Sequence, residues 1–227
     1  MITIDCISDT HLHSLPAILV GRKADILIHA GDALNSGSWG DWNIFLKDLE
    51  MIRDQYKFIC YIPGNHDKIV EKNQSDCKRQ LKSIGVDLLI DERIYYGPYD
   101  GGIDIYGTPW VPHINGIWGF ESQFPDSEFD IGERFKNIPD FQSSKKDPKT
   151  STHILVSHGP CFQIMDGKSW GSKTLLDEVL KKRPQYFISG HIHSGYGQKE
   201  FNGIKFYNVA TCQENYLPLN PVTRIEI

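Results

Sequence analysis

No apolar run in this 227-residue chain approaches membrane-spanning length, which removes a transmembrane helix from consideration. The N-terminus opens directly on Ile2-Thr3-Ile4-Asp5-Cys6-Ile7. It lacks the basic segment, apolar stretch and small-residue cleavage site of a signal peptide. The five cysteines, Cys6, Cys60, Cys77, Cys161 and Cys212, are scattered and form no Cys-x-x-Cys pair. That excludes a thiolate zinc site of the usual spacing and predicts reduced thiols in a cytoplasmic protein. Excess positive charge is also missing: the formal net charge is −5, so no global field favours nucleic acid. The local runs Lys145-Lys146 and Lys181-Lys182-Arg183 read as solvated surface. Repeats and low-complexity tracts are absent.

What is present is a recurring pattern of short apolar runs that end in turn residues. Residues 2–7, 25–30, 57–62, 152–157 and 185–189 are predicted strands. Residues 38–55 carry Trp42, Phe45, Leu46, Leu49 and Ile52 on one helical face, and 75–84 and 172–182 also read as helices. This alternation implies a βαβ framework with a largely parallel sheet. Residues 93–97, 103–107, 198–201, 204–209 and 222–227 look hairpin-like, with Asn202-Gly203 as a turn, and predict a second, more antiparallel sheet. The expectation is an α/β fold, a four-layer α/β/β/α sandwich in one domain over 1–227. Residues 110–151 are predicted to form an irregular excursion over one rim, acting as a lid.

Five segments follow strands: Asp9-Thr10-His11, Gly31-Asp32, Gly64-Asn65-His66-Asp67, Ser157-His158-Gly159 and Gly190-His191-Ile192-His193. Any one of them alone is a generic turn or cap. Together they offer Asp9, His11, Asp32, Asn65, His158, His191 and His193 as oxygen and imidazole donors at one sheet rim. Such a set suits two hard or borderline divalent ions that share one carboxylate, with Mn, Fe, Zn, Ni and Co all compatible. Asp9 and His11, two apart, face one side on extended backbone, and His191 and His193 repeat the device. The adjoining glycines allow tight or left-handed backbone.

Charge bears on the substrate. Two divalent ions bring four positive charges; Asp9, Asp32 and a bridging hydroxide remove three, leaving one for a phosphodiester, while a monoester dianion can still bind. His66 is expected to stabilise developing charge or protonate the leaving oxygen. Asp67 and Asp5 are candidates to fix a ligand imidazole. His13, His29, His113 and His153 lie outside the motifs, with His13 and His113 as candidate pocket walls, and Cys161 reads as packing.

These residues resemble the calcineurin-like metallophosphoesterase superfamily. The resemblance implies Asp9, His11, Asp32 and His193 around one metal and Asp32, Asn65, His158 and His191 around the other, with His66 catalytic. A narrower resemblance, to the brain-type metallophosphoesterase-domain subgroup and its microbial relatives, rests on Gly107-Thr108-Pro109-Trp110-Val111-Pro112, Ser157-His158-Gly159-Pro160 and Gly190 to Gly197. The tail Asn208-Val209-Ala210-Thr211-Cys212 through Asn220-Pro221 also fits. This subgroup implies phosphodiester hydrolysis, including cyclic nucleotides, by a hydroxide that the two metals activate. Where it has a second proline after Pro160, this chain has Cys161. A small phosphodiester or nucleotide is therefore the expected partner, with no membrane or nucleic acid. Trp110 and Trp118 are candidates for stacking on a base and Tyr196 for reaching the phosphate or base. A phosphomonoesterase or protein phosphatase is the nearest rival, followed by a nuclease and a non-catalytic scaffold.

Overall fold

The computed structural model describes residues 1–97, 102–141 and 151–227. Strand β1 (Thr3–Ile7) is followed by a single helical turn, α1 (Leu15–Ile18), then β2 (Ala24–His29), α2 (Trp39–Ile52) and β3 (Tyr56–Tyr61). Two short helices, α3 (Lys68–Lys72) and α4 (Gln74–Ser83), lead to β4 (Val86–Leu88). The second half runs β5 (Glu92–Tyr96), β6 (Ile103–Thr108), α5 (Phe129–Phe135), β7 (Thr152–Ser157), α6 (Lys173–Lys182), β8 (Tyr186–Ser189), β9 (Gly197–Phe201), β10 (Ile204–Asn208) and β11 (Thr223–Glu226).

Among the described residues the strands make two mixed sheets, ordered β11-β1-β2-β3-β4 and β5-β6-β7-β8-β10-β9. In the first sheet β1 to β4 pair in parallel and β11 adds antiparallel to β1. In the second, the β6-β7, β7-β8 and β8-β10 pairs are parallel, and the antiparallel pairs β5-β6 and β10-β9 form the edges. The second sheet is thus less antiparallel than the pattern of hairpins suggests, because β7 and β8 belong to it. Strand β11 goes the other way and closes the first sheet. Strand pairing depends on contacts between distant segments, and apolar periodicity alone does not carry that information.

Alternate side chains divide between two faces. Ile4 and Cys6 of β1, Ile26 and Ile28 of β2, Ile103 and Ile105 of β6, Ile154 and Val156 of β7 and Ile188 of β8 are buried together as the layer between the sheets. Each such aliphatic side chain contributes about 1.5–3 kcal/mol on leaving water. The opposite faces carry Leu27, Ile59 and Tyr61, and Leu155, Phe187 and Phe206; these are buried with helix residues that include Trp42, Phe45 and Leu49 of α2 and Leu175 and Val179 of α6. Helix α2 starts where the Ser38 hydroxyl accepts from the Asp41 amide at 3.1 Å. It ends at Ile52, and Arg53–Gln55 tighten into a 3-10 turn, three residues short of the predicted limit of a regular α-helix.

Asp5 is not a partner of a site imidazole. It is fully buried on β1 and receives Arg224 Nε and Nη2 at 2.9 Å each, Arg22 Nη1 at 3.2 Å and the Tyr56 hydroxyl at 3.2 Å. These four bonds join β11, the loop before β2 and β3 to β1, which makes Asp5 a structural residue. The 110–141 part of the expected rim excursion divides in two. Residues 111–122 return on themselves through a Val111–Glu121 bridge, and α5 then joins the outer helices beside Thr174 of α6. Residues 142–150, including Lys145-Lys146, lie outside the described residues.

Candidate metal centre

All five motif segments leave the carboxyl ends of strands: β1, β2 and β3 of the first sheet, and β7 and β8 of the second. The two rims are stitched together by residues 208–212. Val209 N donates to Ser189 O, Ser8 N to Val209 O, and Thr211 N to Ser8 O, at 2.8, 3.1 and 2.8 Å. The Asn208 amide donates to Gly190 O and Ile192 O at 3.3 and 2.9 Å, which fixes the loop carrying His191 and His193. Sequence reasoning did not assign Asn208 a role in the site, although it stands at a strand end within a quoted motif.

Local backbone differs from expectation in an instructive way. Asp9, His11, Asp32 and His191 have φ of +51°, +43°, +53° and +66°. The pairs Asp9/His11 and His191/His193 therefore do not face one side by strand alternation; left-handed turns beyond the strand ends bring them together. Left-handed non-glycine residues are costly and cluster at sites whose surroundings over-determine them. The glycines act mainly through close approach. A Cβ on Gly64 would collide with Asp32 Oδ1 and lie 2.6 Å from His158 Cε1, and one on Gly190 would strike Ser8 Oγ and Asp9 Oδ2. Gly64→Ala is expected to fold and to bind metal at least ~10-fold more weakly, since it displaces both Asp32 and His158. Calorimetric metal titration tests this, and wild-type affinity in the variant would show that the loops yield freely.

The imidazoles are oriented by carbonyls, which can only accept. His158 Nδ1 lies 2.8 Å from Ala30 O, His193 Nδ1 2.9 Å from Gln213 O and His11 Nδ1 3.3 Å from Leu34 O. Each Nδ1 therefore carries hydrogen, and each Nε2 turns its lone pair into the site. His11 Nε2 faces His193 Nε2 at 3.3 Å, and His193 Nε2 lies 3.4 Å from Asp9 Oδ1. His158 Nε2 lies 3.1 Å from Asn65 Oδ1 and 3.3 Å from Asp32 Oδ2. Acceptors this close repel one another unless a proton or a cation sits among them.

The acid–base behaviour of these groups agrees. Burial alone would raise Asp32, but His158, His66 and His11 hold it far below the ordinary carboxylate range. Burial would lower His158, yet the neighbouring Asp32 carries it up to about 9. Burial, reinforced by His158, pushes His191 down to about 4. The protein groups thus concentrate negative potential on Asp9 and Asp32 and draw in protons that a divalent ion would replace. Among the described residues three groups have donor atoms within 4.8 Å of one another: Asp9, His11 and His193; His11, Asp32 and His66; and Asp32, His158 and His191. Asp32 stands between two of the clusters that could hold metal, so the donor set fits divalent cations.

Around this centre, Asp67 departs from its expected role. Its carboxylate accepts the backbone amides of Asp32, Leu34 and Gly64 at 2.9, 3.0 and 2.7 Å, so it ties two motif loops together and does not fix an imidazole. Burial and the Asp32 charge push it up to about 6. His29, which lacked a motif, accepts from Gly31 N at 3.3 Å on Nδ1 and bonds Thr10 Oγ1 at 2.9 Å through Nε2. Burial holds it neutral, lowering its pKa from the ordinary 6.5 to about 3. The unfolded chain thus takes up a proton between those values that the folded chain refuses, and His29 costs stability as pH falls from 6.5 towards 3. The stability advantage of wild type over His29→Asn should therefore shrink between pH 7 and pH 4 in urea unfolding. A constant gap would contradict the neutral assignment.

His66 Nδ1 lies 2.7 Å from Asn35 O, while its Nε2 stands 4.0 Å from Asp32 Oδ2, beyond hydrogen-bond reach. Trp118 packs against the His66 ring at 4.3 Å between centroids, so this indole borders the site. Trp110 does not. It is 7 % exposed, donates from Nε1 to Asp91 at 2.8 Å and is covered by Arg134 at 3.7 Å, so it is a packing residue with no face left for a base. The Tyr196 hydroxyl donates to Pro221 O at 2.9 Å, and the residue lines a cavity of ≈ 470 Å³ beside His193. Tyr216 was missed: its ring meets those of His11 and His193 at 4.8 and 5.1 Å. It lies in the loop between Cys212 and Asn220, inside the quoted tail but outside the ligand motifs, and no spacing rule ties it to His11 or His193. His13 bonds the Tyr216 carbonyl at 2.8 Å, and His113 lines a second cavity.

The family model for calcineurin-like phosphoesterases matches residues 2–195. The chain belongs to this family. It is therefore a metal-dependent phosphoester hydrolase. Its relatives include human metallophosphoesterase domain-containing protein 1, 29% identical over 98% of this chain and 70% of the relative. Another is the Caenorhabditis elegans protein UPF0046 protein C25E10.12, 30% identical over 91% and 74%. The phosphopantetheinyl hydrolase of Mycobacterium tuberculosis shares the fold, with a TM-score of 0.66 at 14% identity, covering 97% of this chain and 95% of that one. Among the described residues no helix is long and apolar enough to cross a membrane.

Proposed function

We propose that the chain is a phosphodiesterase with a dinuclear centre, in which Asp9, His11, Asp32 and His193 hold one divalent ion and Asp32, Asn65, His158 and His191 the other. The observation that carries this reading is the convergence of carbonyl-locked Nε2 lone pairs on Asp9, Asp32 and Asn65. When bound, two such ions polarise the phosphoryl oxygens and supply a nucleophilic water at neutral pH.

The chain's own residues do the rest. His66 keeps its Nδ1–H on the Asn35 carbonyl, so the proton it can give or share is on Nε2. That nitrogen donates to the departing alkoxide oxygen as the P–O bond breaks. The Asp32 carboxylate lies 4.0 Å from that nitrogen, and the His66 backbone amide donates to Asp32 Oδ1 at 2.8 Å, which fixes the ring's place beside the centre. Trp118 limits the movement of the ring. Only two carboxylates, Asp9 and Asp32, lie among the seven proposed ligands, and the neutral Asn65 leaves residual positive charge matched to a singly charged diester.

Hydrolysis of bis-p-nitrophenyl phosphate and of p-nitrophenyl phosphate by metal-stripped protein reloaded with Mn²⁺ tests the reading. Metal-dependent turnover that is faster on the diester supports it. A preference for the monoester would assign a phosphomonoesterase on the same fold.

A further inference from the structure

The second cavity, of ≈ 560 Å³, opens beside His191 and has a chemistry unlike that of the metal rim. Its walls include Pro112, Ile114, Phe162, Trp170 and Ile192, with Lys173 at its edge. Trp170 is 55% exposed, an unusual state for the largest apolar side chain. The loop that presents it is nevertheless firmly built. The buried Asp166 carboxylate accepts from Gln163 N and Gly171 N at 2.8 and 3.0 Å, and Phe162 N and Ser172 N donate to Ser172 O and Pro160 O at 3.0 Å each.

Two contacts tie this loop to the centre. Gly167 leaves room for the Trp170 ring beside Ile192, the residue between His191 and His193: a Cβ there would meet Ile192 Cγ2 at 3.0 Å and Trp170 Cε3 at 3.4 Å. His191 is at once a wall of the cavity and a member of the Asp32–His158–His191 cluster. A phosphoryl group at the centre would thus have its substituent directed towards fixed aromatic surface. Phe162 carries the Lys173 ammonium 4.8 Å from its ring centroid, adding a cation for an electron-rich or anionic edge. His113, Glu128 and Ser169 add polar groups among the apolar walls, and a cavity of this size and mixed lining suits a small organic moiety that carries polar substituents.

From this we infer that the cavity is the recognition subsite for a planar aromatic arm of the substrate, with Trp170 as its specificity-determining residue. The inference rests on the phosphoester site described above. Its test needs no turnover. Binding of methylphosphonate and of phenyl- and benzylphosphonate to the Mn²⁺-loaded protein is compared by isothermal titration calorimetry, in wild type, Trp170→Ala and Trp170→Phe. A stacked ring is expected to add about tenfold in affinity in wild type. Trp170→Ala should lose most of that gain, Trp170→Phe should keep part of it, and methylphosphonate should bind all three proteins equally. An aryl gain that survives in Trp170→Ala, or equal weakening of all three ligands, would overturn the subsite. Failure of every phosphonate to bind the loaded wild type would instead overturn the phosphoester site on which it rests.

Discussion

Asp32→Ala is expected to abolish metal-dependent hydrolysis and to weaken metal binding by more than ~10²-fold, beyond the loss typical of a residue that only supports a ligand. Asp32 contributes to both proposed ion sites: its Oδ2 lies 3.3 Å from His158 Nε2, and its carboxylate also joins His11 and His66 in one cluster. Its removal leaves Asp9 as the sole carboxylate facing four imidazoles. It also takes away the acceptor of the His66 backbone amide, at 2.8 Å, so the His66 loop loses its tether. Asp32→Asn separates these effects, because the amide oxygen can still accept that bond while the charge is gone. Both variants should be inactive. Metal content by elemental analysis together with the rate checks this, and an active Asp32→Asn protein would show that the shared charge is dispensable.

His66→Ala should have the opposite profile, with metal retained and turnover slowed by ~10²-fold or more. Such a factor corresponds to about 3 kcal/mol of barrier. His66 sits at the edge of the ligand set, with Nε2 4.0 Å from Asp32 Oδ2 and Nδ1 committed to Asn35 O. A proton donor matters most when the leaving oxygen is basic. The loss should accordingly be large on an alkyl ester and smaller on a p-nitrophenyl ester, whose leaving group departs without a proton. Equal rates for wild type and His66→Ala on an alkyl ester would remove His66 from the proposed chemistry.

Much of this architecture was legible in the chain. Short apolar runs that end at Asp9, Asp32, Asn65, His158 and His191 name both the strands and the rim, because buried strands are apolar on both faces and ligands gather at their carboxyl ends. What the sequence hid depends on contacts between distant segments. The sheet that β7 and β8 join, the return of β11 to β1 and the meeting of Tyr216 with His11 are of this kind. Trp110 misled for a related reason: an aromatic beside a motif looks available until Asp91, Phe120 and Arg134 are seen around it. Short α5, seven residues with Gly132 at its middle, has too little periodicity to stand out. Asp5 and Asp67 were recognisable as carboxylates near the site, but their partners are guanidinium groups and backbone amides, which no spacing rule specifies.

The proposal of two ions sharing Asp32 is tested most directly by titrating metal-free protein with Mn²⁺ while following bound metal, activity and the electron paramagnetic resonance spectrum. Two equivalents per chain are expected, with activity rising as the second binds and a spin-coupled signal from ions held about 3.5–4 Å apart. Saturation at one equivalent with full activity, or two ions without coupling, would contradict the shared-carboxylate centre.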